Sequence, residues 1–309
     1  GGAAGWSVAT CVWRKAAAHS AHHHLLFPSA SHRSASRMSK RVKKAAPNMP
    51  VLFIAHGGGP MPLLGQQDNY LEHFRSIPSL LPSAPTAVLC ISAHWEEAEG
   101  VAVTANEAHS LLFDYSGFPE EAYTISYPVH GAPHMAARVQ NLLRDAGITC
   151  RAETVRGLDH GTFVPLKPAW PDASVPVVQL SLNASLDPAT HIRMGKALST
   201  LREEGVLILG SGMSFHNMQA FFTPDPSHAP MAQEFDDFLR GACASDARRR
   251  EELLTGWKSG PHALFCHPRE EHLLPLMVCA GAAQQDTGSV VWTSVKLPDG
   301  IRVSSFKFG

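Results

Sequence analysis

Beyond residue 50 the chain alternates between short, almost unbroken apolar runs and longer segments with apolar positions every three or four residues. The runs at 51–55, 87–93, 100–105, 175–182 and 206–209 read as strands. Near the C-terminus two more, 290–297 and 301–308, flank Pro298-Asp299-Gly300, a hairpin signal. Helical spacing recurs over 132–146, 188–204, 230–243, 247–257 and 270–282. Asp187-Pro188 supplies an N-cap and a first-turn proline to the second of these. Strands without a polar face need cover on both sides. The pattern therefore predicts one α/β domain over residues 50–309, a central mixed β-sheet flanked by helices on both faces. The terminal hairpin makes the sheet mixed.

Residues 1–49 break this pattern. The first 50 residues carry eight Lys or Arg and no acid, the first acid being Asp68. Such a basic, Ser- and Ala-rich leader fits an organelle transit peptide and is set apart from the fold. As a transit peptide it implies a plastid or mitochondrion; it equally fits untranslated sequence ahead of a start at Met38 or Met49, and then the cytoplasm is expected. The triplet His22, His23, His24 belongs to this leader. Beyond it 18 basic residues face 27 acidic ones, a balance near −9. That argues against a nucleic-acid partner. No stretch of eighteen apolar residues exists, so no membrane partner is expected. The six cysteines (11, 90, 150, 243, 266 and 279) form no C-x-x-C pair, and several sit in apolar runs as small hydrophobes.

Histidines stand where these strands end. His56 closes the first run and precedes Gly57-Gly58-Gly59-Pro60; His94 closes the second and precedes Trp95. His216 follows the fifth through Gly210-Ser211-Gly212-Met213-Ser214-Phe215. Open α/β sheets collect ligands outside the carboxyl ends of their strands, and several convergent imidazoles there suit a metal ion. A lone histidine at a strand end is more often a hydrogen-bonded structural residue, so the signal lies in the set. A further candidate is His272 in Glu270-Glu271-His272-Leu273, where spacing leaves the ligand open among the three polar residues. There the two glutamates also suit a helix N-terminus. His160, in Gly157-Leu158-Asp159-His160-Gly161, reads as a loop imidazole placed for proton transfer, or as a turn held by Asp159.

Taken together, five motifs resemble the class III (LigB-type) extradiol dioxygenases, and within them the 4,5-DOPA dioxygenase subgroup. They are His56-Gly57-Gly58-Gly59-Pro60-Met61, Ser92-Ala93-His94-Trp95, Gly157-Leu158-Asp159-His160-Gly161, Gly210-Ser211-Gly212 with His216-Asn217, and Glu271-His272-Leu273-Leu274-Pro275-Leu276. The segment Phe113-Asp114-Tyr115-Ser116-Gly117-Phe118-Pro119 resembles another stretch of that family. The resemblance implies one divalent metal on His56, His94 and His272, with His216 beside it as acid/base residue or occasional fourth ligand. It places His160 in the pocket as a second catalytic residue, and Trp95, Asp159 and Asn217 as substrate-binding residues. The substrates implied are a small catechol, such as DOPA, and O2. Zinc has no redox chemistry, so Fe(II) is expected for catalysis, with Zn(II) able to fill the same three-histidine site. The sequence departs from the family at Gly58, where many relatives have Ser. It also has Met218-Gln219-Ala220 where plant betalain-forming members have His-Pro-Ser.

Two other readings compete. His56-Gly57-Gly58-Gly59 resembles the oxyanion loop of esterases, but Gly210-Ser211-Gly212-Met213-Ser214 lacks the G-x-S-x-G spacing of a nucleophile elbow. A zinc-dependent hydrolase on the same histidines, or a non-enzymatic scaffold that kept the fold, are the alternatives to a dioxygenase.

Overall fold

The computed structural model describes residues 48–309, so all but the last two residues of the expected leader lie outside the described residues. Eight strands are present: β1 (Val51–Ala55), β2 (Ala87–Glu97), β3 (Val101–Thr104), β4 (Cys150–Glu153), β5 (Val177–Asn183), β6 (Val206–Gly212), β7 (Gly288–Ser294) and β8 (Val303–Phe308). They form one sheet in the order β4-β3-β5-β2-β6-β1-β8-β7. The central four, β5-β2-β6-β1, run parallel. Antiparallel pairing of β8 on β1, β7 on β8 and β3 on β5 makes the sheet mixed, as the sequence pattern predicts. Asp299 and Gly300, both in left-handed backbone (φ 59° and 76°), turn the chain between β7 and β8.

The helices are α1 (Asp68–Ser76), α2 (Pro133–Asp145), α3 (His160–Ala169), α4 (Pro188–Leu198), α5 (Met218–Phe222), α6 (His228–Ala244), α7 (Ala247–Thr255), α8 (Ala263–Cys266) and α9 (Leu274–Ala282). Asp187 caps α4 through its carboxylate, which accepts the Thr190 N–H at 2.8 Å. Helices cover both faces of β6. A Cβ on Gly210 would strike Pro275 and Cys279 of α9, whereas the Ser211 hydroxyl donates to the Gly161 carbonyl of α3. No helix among the described residues is long and apolar enough to cross a membrane.

Three differences from the sequence pattern bear on the site. Strands β2 and β6 run on to Glu97 and Gly212, so His94 lies inside a strand and His216 leaves only a short loop after one. The residues expected as a loop around His160 form α3, whose Pro165 and Pro168 and burial on nearly every side hide any helical period. The helix expected from residue 270 begins at Leu274, which leaves His272 in the turn before it.

Away from the site, His73 on α1 is buried, stacked on Trp292 at 4.7 Å, with Nε2 3.0 Å from the Ser305 hydroxyl. Burial pulls its pKa from 6.5 down to about 4. The unfolded chain therefore binds a proton that the folded one refuses, and stability is lost as pH falls below 6.5. The expected share of His73 is about 2 kcal/mol between pH 8 and 5. Urea unfolding of the protein and of His73→Leu at both pH values checks this, the variant showing a shallower pH slope.

Candidate metal centre

Five imidazoles meet at the carboxyl edge of the parallel strands. His56 follows β1, His94 sits near the end of β2, His160 opens α3, His216 lies beyond β6, and His272 precedes α9. Ring centroids of His56, His94 and His272 are 4.8 to 5.3 Å apart. His160 lies 3.9 Å from His94, and His216 stacks on His272 at 3.4 Å with an interplanar angle of 11°. The ligating atoms of His56, His94 and His160 form one group within 4.8 Å, and those of His216, Glu271 and His272 another. The structure thus joins all five predicted histidines, with the expected His56, His94, His272 set spanning both groups.

Local backbone makes this approach feasible. Gly57 has a φ of 83°, and a Cβ there would lie 2.7 Å from the Gln67 amide oxygen. Gly212 brings the turn carrying His272 onto β6: a Cβ would stand 2.1 Å from the His272 carbonyl, which accepts the Met213 N–H at 3.0 Å. A side chain at Gly212 would displace the turn carrying His272, and one at Gly57 would press on Gln67, Pro62 and Tyr70.

Behind each ring, Nδ1 faces an oxygen. The Ser211 hydroxyl gives its single proton to the Gly161 carbonyl, so at 3.0 Å from His56 it accepts, and the Nδ1 of His56 carries the hydrogen. His272 Nδ1 donates to Glu271 at 2.9 Å, with His216 Nδ1 3.5 Å from the same oxygen. His160 Nδ1 donates to Asp114 at 2.8 Å, and His94 Nδ1 stands 3.6 Å from the other Asp114 oxygen. Two carboxylates and one hydroxyl therefore stand behind all five rings, bonding His56, His160 and His272 directly and facing His94 and His216 at 3.5 to 3.6 Å. Such outer oxygens fix the tautomer and aim of metal-binding histidines.

The electrostatics agree with this arrangement. Burial, reinforced by the neighbouring imidazoles, holds His56 and His94 well below their usual pKa. Burial and His216 bring His272 down to about 4, against the opposing pull of Glu271. All three are neutral near pH 7, the form that binds a metal. Burial would raise the Glu271 carboxyl, but hydrogen bonds from His216 and His272 outweigh it and keep the group ionised. The Nε2 atoms of His56 and His94 lie 3.3 Å apart. Two nitrogens bound at 2.0–2.1 Å to one tetrahedral ion would stand about 3.3 Å apart. The residues present fit a divalent metal.

Glu271 was weighed on sequence as a ligand; here it backs two imidazoles, while Glu270 turns away to Lys258. Glu271→Gln is expected to weaken metal affinity about 10-fold and Glu271→Ala up to about 100-fold, the usual range for such supporting groups. Competition with a chromogenic chelator reads both values.

The imidazoles line the floor of a cleft of about 540 Å³, walled by Gly57, Gly58, Gly59, Met61, Gln67, Tyr115, Phe118, Met213, Met218, Phe221, Phe222, Leu297 and Pro298. The three residues expected to bind substrate lie outside this lining. Trp95 is buried, its ring N–H donating to Glu97 and its face covered by Arg156. Asp159 is fully buried and accepts from Ser92, Gln179 and Arg156; it makes no side-chain cap on α3. Asn217 caps α5 through Ala220 N–H and donates to the Phe265 carbonyl. Sequence reasoning missed Asp114 and Ser211 as anchors, although both stand in segments it had marked.

Comparison with known proteins agrees with this geometry. Residues 50–301 match the family described as the catalytic LigB subunit of aromatic ring-opening dioxygenase. The chain is 38% identical over 256 residues to Dioxygenase tasH of Hapsidospora irregularis, covering 77% of this chain and 79% of that protein. It is 35% identical over 241 residues to the 4,5-DOPA dioxygenase extradiol of Beta vulgaris, covering 76% and 87%. The protein of the same name from Escherichia coli K12 is 34% identical over 245 residues, covering 79% and 88%. The crystal structure of an uncharacterized Escherichia coli K12 protein superposes with a TM-score of 0.70 at 30% identity, covering 84% of this chain and all of that one.

Proposed function

The chain belongs to the LigB family of aromatic ring-opening dioxygenases, and from that premise we propose that it is a metal-dependent extradiol dioxygenase acting on a small catechol. The observation that carries this reading is the set of five imidazoles around one cleft, each with Nδ1 facing an oxygen behind it. His56, His94 and His272 would hold the metal. A ferrous ion there would supply the redox chemistry through which O2 reacts with the aromatic diol.

The chain's own residues do the rest. His216 lines the cleft with Nδ1 turned to Glu271, so its Nε2 is placed to take a catechol hydroxyl proton and return it later. His160, fixed by both its backbone and ring N–H on Asp114, steadies the second oxygen of the diol. The aromatic and methionine walls keep water from the reacting ring. The carbon–carbon bond beside the diol opens, and both oxygen atoms of O2 remain in the semialdehyde product.

The test is oxygen uptake after anaerobic loading with Fe(II), with a Zn(II)-loaded sample beside it. Catechol, L-DOPA and 4-methylcatechol are supplied in turn. Uptake with iron alone, matched by a coloured ring-opened product, is expected. No uptake with any of the three, despite bound iron, would sink the proposal and favour a hydrolase on the same site.

A further inference from the structure

Resting on the dioxygenase reading, we infer that the cleft takes an uncharged catechol bearing an apolar substituent, in preference to one with an amino-acid side chain. Beyond the five imidazoles, the lining holds Met61, Phe118, Met213, Met218, Phe221, Phe222 and other uncharged residues, and among the described residues no Lys, Arg, Asp or Glu. Each of the two polar side chains that remain makes one hydrogen bond. The Gln67 amide oxygen accepts the Gly58 N–H at 2.9 Å, and the Tyr115 hydroxyl donates to the Ala122 carbonyl at 2.7 Å.

The charges behind the imidazole floor are committed as well, while at the rim Lys296 and Asp299 flank the lining pair Leu297 and Pro298, Asp299 facing His228. Arg269 pairs with both oxygens of Glu96 at 2.6 and 2.7 Å, and touches Glu271 at 3.2 Å. Arg156 lies over Trp95 and donates to the His94 carbonyl and to Asp159. Asp114 and Glu271 each serve two imidazoles. Against the lining itself a substrate carboxylate would find no side-chain cation and a substrate ammonium no side-chain anion, so both would be desolvated for little return.

Space points the same way. About 150 Å³ is enough to hold benzene, so a catechol ring fills only part of a 540 Å³ cleft. The remainder leads to Met218 and Phe222, 49% and 79% exposed at the mouth. Apolar side chains held out in water become buried when an alkyl or aryl substituent lies against them, and each methylene covered is worth about fourfold in affinity.

Anaerobic titration of the zinc-loaded protein measures this preference without turnover. 4-Propylcatechol, close in size to L-DOPA but lacking its ammonium and carboxylate, is expected to bind about 10- to 100-fold more tightly than L-DOPA. Affinity should rise from 4-methyl- to 4-propylcatechol. Met218→Arg, a change at an exposed position, is expected to narrow the gap by about tenfold by supplying a partner for the carboxylate. L-DOPA binding as tightly as 4-propylcatechol would overturn the inference and leave the dioxygenase standing. Binding of neither would overturn the cleft as a catechol site, and the functional reading with it.

Discussion

His56→Ala is expected to yield a folded protein that no longer keeps its divalent metal. The imidazole is 1% exposed, its Nδ1 is fixed on Ser211, and its Nε2 lies 3.3 Å from that of His94. Gly57, Gly58 and Gly59, which follow His56, offer no replacement ligand, and His160 and His272 are bonded to Asp114 and Glu271. Losing a supporting group alone costs roughly 10- to 100-fold in metal affinity. Losing the ligand should therefore cost more than about 100-fold, with oxygen uptake falling in step. Folding should survive, because Ser211 keeps its bond to Gly161 and the deleted ring makes no other tie to the β1–β6 core. Elemental analysis after dialysis, with far-UV circular dichroism beside it, reads both halves. Full metal retention in a folded variant would remove His56 from the ligand set.

What could be read from sequence follows from how each feature writes itself into a local pattern. β1, β2 and β6 are legible because they are buried on both faces, so each is an apolar run that ends where the polar edge begins. The histidines were legible because they interrupt those runs at their ends. β4 was not: Arg151 and Glu153 stand on an edge strand, where charge is favoured and the apolar signal vanishes. α1 is largely polar, with Tyr70, His73 and Phe74 as its buried residues, too few to mark a period. Trp95, implied by the resemblance as substrate-binding, is buried with its ring N–H on Glu97 and lies outside the cleft lining, an orientation that its place beside His94 does not reveal. Asn217, implied by the resemblance as substrate-binding, stands before Met218-Gln219-Ala220 as the N-cap of α5. The apolar wall draws on residues between Met61 and Pro298 from separate loops and helices, and no local pattern records such a meeting.

The sharpest separation of roles comes from His216→Ala, where metal content should hold while turnover falls by roughly 10²- to 10⁴-fold, the range for a positioned acid or base. Its ring stacks on His272, and its Nδ1 shares with that residue the single Glu271 oxygen. Removing the ring leaves the bond from His272 to Glu271, 2.9 Å long, so the orientation of that ligand survives. The backbone there is also secure, because His216 N–H donates to the Cys266 carbonyl at 2.9 Å whatever its side chain. The loss should thus appear in kcat with metal affinity little changed, the reverse of the Glu271→Gln pattern. Iron content and oxygen-uptake kinetics on one preparation distinguish the two. Unchanged turnover would exclude His216 from proton transfer, and loss of the metal with the ring would make it a ligand.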